Sequence, residues 1–231
     1  MNEVYRVEKK YLIEQRQYYE LSHYLDKMMI RDQNSEGEGY TIRSLYFDSI
    51  DDRDFHEKED GIEVRRKIRL RTYQTSPDFG LLEMKKKQGE RQKKSSMRLP
   101  VEDCRKLISG DFGVLLKYQT PFALECYSIM SMHAYRAKSV VTYERKAFMA
   151  KENKIRITFD HHIRGTESNY DIFSEHFNEN PILDPYLVIL EVKYNGFLLG
   201  YIKDFLDGVE KQELSVGKYS LSRVVSKHYL F

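Results

Sequence analysis

The chain has 231 residues, with 38 Lys and Arg against 36 Asp and Glu, and 32% of its residues are charged. This composition excludes a collagen-like or disulfide-rich scaffold, and a hydrophobic content of 41% is enough to build a packed core. No stretch approaches the roughly 18 consecutive apolar residues of a membrane-spanning helix. The opening MNEVYRVEKK also lacks the apolar centre of a secretory signal, so we expect a cytoplasmic protein.

Alternation of apolar and polar residues predicts about eight strands, and a 3.6-residue apolar spacing predicts four helices. The strands are expected at Tyr5–Ile13, Tyr40–Asp48, Glu63–Tyr73, Phe79–Lys87, Lys93–Leu99, Val140–Met149, Lys154–Asp160 and Leu187–Tyr194. The helices are expected at about Arg16–Met29, Val101–Ile108, Pro121–His133 and Gly200–Lys211. No internal repeat or Pro/Ser-rich linker separates these elements, so we predict a single domain over residues 1–231.

Cysteine and histidine give little indication of a site. Cys104 and Cys126 have neither the spacing of a CxxC redox pair nor that of a zinc ligand set, and we expect both to be reduced residues of the core or its boundary. His161 and His162 follow a predicted strand end. We expect them in a loop or at the surface, with contact to a metal or a phosphate as the alternative.

The net charge of +2 hides an uneven distribution. Residues 58–98 carry 13 Lys and Arg but six Asp and Glu, which is a net charge of +7, and the rest of the chain is therefore −5. A field concentrated in this way favours a polyanionic ligand. Composition alone leaves nucleic acid, an acidic membrane and polyphosphate open.

The basic residues alternate with aliphatic ones inside a predicted strand. In Lys67-Ile68-Arg69-Leu70-Arg71 the cations share one strand face and the aliphatic residues share the other. Two arrangements of such strands are possible. In an antiparallel sandwich, the charged faces point to solvent. In a closed barrel of about eight strands, the amphipathic helices cover the apolar face from outside and the charged face lines the interior.

A Glu-x-Lys spacing occurs on three predicted strands, at Glu8–Lys10, Glu83–Lys85 and Glu191–Lys193. This spacing places an anion and a cation on one strand face. Ion pairing between neighbouring strands is one explanation of it. A carboxylate beside a phosphate site repels the ligand unless a divalent cation lies between them. Mg²⁺ and Mn²⁺ bind in this way, through one or two carboxylates plus phosphate oxygens.

Eight short motifs, taken in order, resemble those of the VTC domain, the polyphosphate polymerase member of the triphosphate tunnel metalloenzymes, or CYTH-like superfamily. They are RVEKKY at residues 6–11, RSLYFD at 43–48, KIRLRTY at 67–73, LEMK at 82–85, YER at 143–145, IRITFD at 155–160, LEVKY at 190–194 and SVGKYS at 215–220. The resemblance runs from about residue 4 to residue 226.

The resemblance implies an α+β fold in which an eight-stranded antiparallel β-barrel, the triphosphate tunnel, has flanking α-helices. It also implies metal-dependent transfer of the terminal phosphoryl group of ATP to a growing polyphosphate chain. The implied catalytic cations are Lys10, Arg69, Arg71, Lys85, Arg145 and Lys218. Lys58, Lys67, Lys87, Arg156 and Lys193 are further substrate-binding cations. Glu191 is the expected principal ligand of Mn²⁺ or Mg²⁺, with Glu8 and Glu83 as supporting carboxylates.

The expected partners are therefore ATP and inorganic polyphosphate, with a divalent metal as cofactor. Hydrolysis of a triphosphate needs the same residues and stays open as an alternative, as does a non-catalytic module that holds polyphosphate or inositol phosphates. We do not expect nucleic-acid binding, because the cations interleave with aliphatic residues at strand period and no recognisable nucleic-acid motif is present. The sequence leaves open the oligomeric state and a membrane-protein partner.

Overall fold

The computed structural model describes residues 6–33, 37, 39–73, 78–89 and 91–228. Six α-helices occur in these ranges: α1 (Gln15–Met28), α2 (Arg53–Glu59), α3 (Val101–Ile108), α4 (Pro121–Met132), α5 (Gly200–Asp207) and α6 (Lys218–His228). Two short 3-10 helices lie at Phe112–Tyr118 and Glu152–Lys154. No helix within the described ranges has both the length and the apolar character needed to cross a membrane.

The described residues also form eleven strands, of which eight have nine or more residues. The long strands are β1 (Arg6–Glu14), β3 (Tyr40–Asp48), β4 (Val64–Tyr73), β5 (Phe79–Gln88), β6 (Arg91–Pro100), β7 (Arg136–Met149), β8 (Arg156–Thr166) and β10 (Leu187–Asn195). The other three have two residues each: β2 (Ile30–Arg31), β9 (Asn180–Pro181) and β11 (Gln212–Glu213). The eight predicted strands correspond to the eight long ones. Tyr5, the predicted start of the first, lies outside the described residues.

The strands belong to one sheet in the order β11-β1-β10-β8-β7-β3-β4-β5-β6, with β2 beside β7 and β9 beside β8. Every pairing whose register is described is antiparallel. This confirms the predicted class, an antiparallel α+β fold with flanking helices. The sheet has eleven strands instead of eight, and the pairings between described residues form an open path instead of a closed ring.

The chain divides into two compact units. The first unit combines Met1–Thr41, Tyr143–Ile163 and Leu183–Val216, and the second combines Ile42–Thr142, Arg164–Ile182 and Gly217–Phe231. Each unit has its own buried cluster of apolar side chains. The prediction of a single domain stays a prediction.

In the second unit, helices cover the apolar face of the strands. Ile68 and Leu70 of β4 are fully buried in a cluster that also contains residues of the neighbouring strands and of α3 and α4. The strand members of this cluster include Leu45, Phe47, Leu82 and Met84, and the helix members include Cys104, Leu107, Ala123, Cys126 and Met130. Both cysteines are free and buried, as predicted. The cations that alternate with Ile68 and Leu70 therefore lie on the strand face that points away from these helices.

The first unit follows the same rule with different elements. Leu21 and Leu25 of α1 and Ile202 and Leu206 of α5 are buried against apolar residues of β8 and β10. The strand residues in this cluster include Ile157, Phe159, Val188, Leu190 and Val192. Since side chains alternate along a strand, the intervening Glu191 and Lys193 lie on the face opposite these two helices.

Helix α2 was not predicted, because its seven residues carry no apolar stripe. Its first turn is instead held by the buried carboxylate of Asp48, at the end of β3. Asp48 accepts hydrogen bonds from the backbone N–H groups of Asp54 (2.8 Å) and Phe55 (2.9 Å) and from the hydroxyl of Tyr219 (2.8 Å). A carboxylate placed there satisfies N–H groups that have no partner within the helix.

Candidate phosphate and metal site

The second unit presents a strongly basic strand face, which we call the β4–β5 basic face. Antiparallel pairing sets Lys67 opposite Lys85 and Arg69 opposite Glu83. Residues directly opposite in this register lie on one face of the sheet. The face consists of Arg65, Lys67, Arg69 and Arg71 on β4 and Glu83, Lys85 and Lys87 on β5. Six cations and one carboxylate give it a net charge of +5, which attracts an anion that carries several charges.

Glu83 forms ion pairs with several cations of this part of the sheet. Its carboxylate lies 2.7 Å from the Nε of Arg69 and 3.7 Å from an Nη of Arg71, and it also pairs with Lys94 of β6. Burial would raise the pKa of Glu83, but the positive charges of Arg69 and Arg71 and the hydrogen bond from Lys94 outweigh it and lower the pKa to about 2. The carboxylate is therefore ionised at neutral pH and fixes the two guanidinium groups in position.

Tyr46 of β3 lies in the same positive field. It stands opposite Arg69 in the register, and Ser44 stands opposite Arg71 and accepts a 3.2 Å hydrogen bond from it. Burial would raise the pKa of the Tyr46 hydroxyl, but surrounding positive charges outweigh burial and lower it. In order of effect, these charges are Arg69, Lys67, Arg71 and Lys218. Four of the predicted cations therefore act on one phenol group.

The segment that carries Lys218 adjoins this face through Lys67. The Lys67 ammonium lies 5.7 Å from the ring centroid of Tyr46 and 5.8 Å from that of Tyr219, and these two rings stack at 5.1 Å. A Cβ atom at Gly217 would stand 3.3 Å from the Nζ of Lys67, so glycine allows the close approach of the backbone there.

The first unit contains a different arrangement, four alternating charges on β1 and β10, which we call the Glu–Lys quartet: Glu8, Lys10, Glu191 and Lys193. The register places Lys10 opposite Glu191 and Glu8 opposite Lys193. Lys193 lies 2.8 Å from Glu191 and 3.8 Å from Glu8, and Lys10 lies 3.7 Å from Glu191 and 3.8 Å from Glu8. The quartet has no net charge, unlike the basic face.

Two predicted arginines of the first unit are paired with carboxylates. Arg145 donates two hydrogen bonds to the buried Asp160, at 2.6 and 2.7 Å. Burial would lower the pKa of Arg145, but Asp160, with smaller contributions from Tyr143 and Glu191, raises it well above its usual range. Arg156 pairs with Asp32 at 2.7 Å and contacts the Tyr40 hydroxyl at 3.3 Å. The orientation of both guanidinium groups is fixed by their carboxylate partners.

Two predicted substrate-binding lysines lie apart from these contacts. Lys58 is in the last turn of α2, outside both strand faces. Lys87 is on the β4–β5 basic face near the β5–β6 turn, opposite Arg65 and Gln92. The substrate roles of both residues stay predictions.

Sequence reasoning missed several members of these sites. Tyr46 and Asp160 lie on the strand faces that carry the cations. Their positions in the alternation could therefore have identified them as members of the sites. Lys94 could have been found by pairing β5 with β6 as a hairpin. Asp32 carries no local signal, because it reaches Arg156 only through the tertiary structure.

The histidine pair lies inside β8 and not in a loop. His161 is buried, so the prediction for that residue was wrong, whereas His162 is exposed as expected. Both imidazoles lie close to the carboxylate of Glu144 on β7, and this group has the donor types of a metal site. The strand continues beyond the predicted end because Ile163 and Gly165 keep alternate positions buried.

A strand face that gathers basic residues is typical of proteins that bind chains of phosphate, and paired carboxylates are typical ligands of a hard metal ion. The sequence model of the VTC domain family matches residues 5–226, so the chain belongs to the VTC domain family. This membership supports a function on polyphosphate or a triphosphate. Curated proteins give no significant match.

Solved structures give distant matches. A candidate adenylate cyclase from Bacillus halodurans is 12% identical with a TM-score of 0.48, and the match covers 88% of this chain and 86% of that chain. The PH1819 protein from Pyrococcus horikoshii OT3 is 10% identical with a TM-score of 0.46, over 96% of this chain and 99% of that one. The family assignment rests on the VTC match alone.

The ion pairs of Glu83 predict a pH-dependent contribution to stability. The pKa of about 2 in the folded state is below the ordinary value of 4.5, so the contribution is complete above pH 4.5 and is lost as the pH falls towards 2. Glu83→Gln should therefore lower the free energy of unfolding by about 3 kcal/mol at pH 7, with a smaller deficit at lower pH.

Urea unfolding of the wild-type chain and of Glu83→Gln between pH 7 and pH 3 measures the difference between their free energies of unfolding. The titration of the groups that the two proteins share cancels in this difference. Glu102→Gln removes an exposed carboxylate that pairs with Lys106 and serves as the control, with an expected change of at most about 0.5 kcal/mol. A deficit for Glu83→Gln that stays constant across the pH range would show that charge on Glu83 does not stabilise the fold.

Proposed function

We propose that this chain is a metal-dependent polyphosphate polymerase that transfers the terminal phosphoryl group of ATP to polyphosphate in the cytoplasm. The observation that carries the proposal is the β4–β5 basic face of a VTC domain, on which one buried carboxylate orders two arginines and leaves a net charge of +5. Arginine binds phosphate through two N–H groups at once and lysine as a point charge, so such a face suits several consecutive phosphates.

The reaction asks mainly for positioning and charge neutralisation. A terminal oxygen of polyphosphate attacks the γ-phosphorus of ATP, the bond from that phosphorus to the β–γ bridging oxygen breaks, and ADP leaves. The attacking oxygen is already ionised, so no side chain has to remove a proton. We assign Lys10, Arg69, Arg71, Lys85, Arg145 and Lys218 to the neutralisation of the reacting phosphates, and Lys58, Lys67, Lys87, Arg156 and Lys193 to binding of the chain.

The Glu–Lys quartet fits a divalent cation by its donor chemistry. Glu8 and Glu191 are carboxylates on adjacent strands and approach the same two ammonium groups within 3.8 Å. Hard cations such as Mg²⁺ and Mn²⁺ take such oxygens together with phosphate oxygens. When bound, the ion would neutralise negative charge on the reacting phosphates, with Glu191 as the principal ligand and Glu8 in support. Lys10 and Lys193, released from the carboxylates, would then be available to phosphate.

Glu83 was predicted as a supporting metal ligand. Its contacts with Arg69, Arg71 and Lys94 favour a role in positioning these cations instead. We therefore propose Glu191 and Glu8 for the metal, and a metal role for Glu83 stays a prediction.

Incubation with ATP and Mn²⁺ should produce long polyphosphate and ADP, seen on a gel and by nucleotide analysis. Glu191→Gln should reduce turnover by at least about a hundredfold, since removal of a transition-state charge interaction costs on the order of 3 kcal/mol. The affinity of this variant for tripolyphosphate in metal-free buffer should stay within about threefold, because Gln removes no cation. Free phosphate without polymer would instead indicate a triphosphate hydrolase, and turnover that survives in the variant would refute the metal assignment.

Adjacent lysines of β5 test the basic face at constant net charge. Lys85 lies on the face, whereas Lys86 points to the opposite side and pairs with Glu125 of α4. Lys85→Gln should weaken tripolyphosphate binding in calorimetry by at least about tenfold, the value of one charge-assisted hydrogen bond of about 1.5 kcal/mol. Lys86→Gln should change it by less than about twofold. Equal losses in both variants would show that binding responds to the overall charge and not to this face.

A further inference from the structure

Glu144, His161 and His162 form a second group of metal-binding donors in the first unit. Glu144 is adjacent to Arg145 on β7, and His161 is adjacent to Asp160 on β8. Alternation along the strands therefore places Glu144 and His161 on the face opposite the Arg145–Asp160 pair. His161 contacts the ring of Tyr18 from α1, with the ring centroids 5.1 Å apart, which confirms that it lies on the side covered by that helix.

The distances between the three donor atoms match those around a tetrahedral zinc ion. The Nδ1 of His162 lies 3.1 Å from Oε2 of Glu144, the Nδ1 of His161 lies 3.6 Å from the same oxygen, and the two Nδ1 atoms lie 3.3 Å apart. Zinc bonds of about 2.0–2.2 Å to nitrogen and oxygen place neighbouring ligands about 3.3–3.6 Å apart in a tetrahedron. The three donors thus already have the spacing that the ion requires.

The backbone at His162 brings the two imidazoles together. Consecutive residues of a regular strand point to opposite faces, so neighbouring histidines would normally be separated by the sheet. His162 has a φ of +48°, in the left-handed region, which is uncommon for a residue other than glycine. This conformation lets both Nδ1 atoms approach the same carboxylate.

The surroundings suit an ion with one side open to solvent. His161 is buried, whereas the side chains of His162 and Glu144 are 45% and 40% exposed. Two imidazoles and one carboxylate would supply three ligands, and water reaching the exposed side would supply the fourth. Imidazole favours Zn²⁺ over Mg²⁺, which prefers oxygen ligands alone, so this group and the Glu–Lys quartet differ in the metal that they select.

We propose that Glu144, His161 and His162 bind one Zn²⁺ ion that links β7 to β8, at a site separate from the metal of phosphoryl transfer. The ion bridges two neighbouring strands of the first unit, and its role is to stabilise that unit. Because the donor set includes no residue to which we assign a part in phosphoryl transfer, the inference does not depend on the proposed polymerase activity.

The test is metal binding by the full chain, prepared without a histidine tag and stripped of metal with a chelator. Competition against a chromophoric zinc chelator should show one equivalent of Zn²⁺ bound. Co²⁺ in its place should give the intense visible absorption of a tetrahedral centre, and a hundredfold excess of Mg²⁺ should displace neither ion. Zn²⁺ should also raise the thermal midpoint of the chain.

Two variants avoid the buried His161. His162→Asn keeps a residue type that accepts the left-handed backbone, and Glu144→Gln keeps the shape of the side chain. Each should weaken Zn²⁺ binding by at least about tenfold. Even the loss of a residue that only hydrogen-bonds to a metal ligand lowers metal affinity by about this factor. His23→Asn, at an exposed histidine of α1, should leave binding unchanged.

Circular dichroism of the metal-free proteins establishes that both variants fold, so that a loss of binding reports on the site. A wild-type chain that binds less than one equivalent of Zn²⁺ would overturn the proposal. Binding that survives in both His162→Asn and Glu144→Gln would overturn it as well, because the ion would then be held elsewhere.

Discussion

Within each unit, helices bury one face of the strands and leave the other face to the charged residues. Burying an aliphatic side chain such as Ile68 or Leu70 contributes about 1.5–3 kcal/mol, whereas burying an unpaired cation costs several. A shift of the strand by one residue would exchange these two sets of side chains. The register of β4 and β5 is therefore fixed by the apolar cluster, and the position of the cations on the opposite face follows from it.

The charged faces of the two units have different electrostatic characters. The β4–β5 basic face has a large excess of positive charge. Two of its arginines, Arg69 and Arg71, are held in position by the buried carboxylate of Glu83, which has a pKa of about 2. The Glu–Lys quartet has no net charge, because its two carboxylates pair with its two lysines. We therefore expect a metal ion to bind these carboxylates only when an anion binds the lysines in their place. Under the proposed function, the basic face has the charge that attracts a chain of phosphates, and the quartet has the carboxylates that a divalent cation takes as ligands.

Strand alternation made most of this arrangement predictable. The eight long strands and the shared face of Lys67, Arg69 and Arg71 follow from a period of two, which depends only on local geometry. Helix α2 and the pairing of Arg156 with Asp32 could not be predicted in this way. Each depends on a side chain that is brought close by the tertiary structure, Asp48 in the first case and Asp32 in the second.

The histidine pair shows a different limit. An Asp followed by two histidines is typical of a strand that ends in a polar loop, but β8 continues because alternate positions after the pair are buried. The left-handed backbone at His162 then breaks the alternation that the prediction relied on. A donor group built on such an irregularity has no periodic signal in the sequence, and only the structure reveals it.

The phosphates are proposed to bind at the β4–β5 basic face and the metal at the Glu–Lys quartet. A crystal structure of the chain with tripolyphosphate and Mn²⁺, with anomalous diffraction to locate manganese, would show both positions. We expect phosphate oxygens within hydrogen-bond distance of Arg69 and Arg71 and a manganese peak at the Glu191 carboxylate. Phosphates bound only to other surfaces, with Arg69 and Arg71 still engaged solely by protein groups, would refute both assignments.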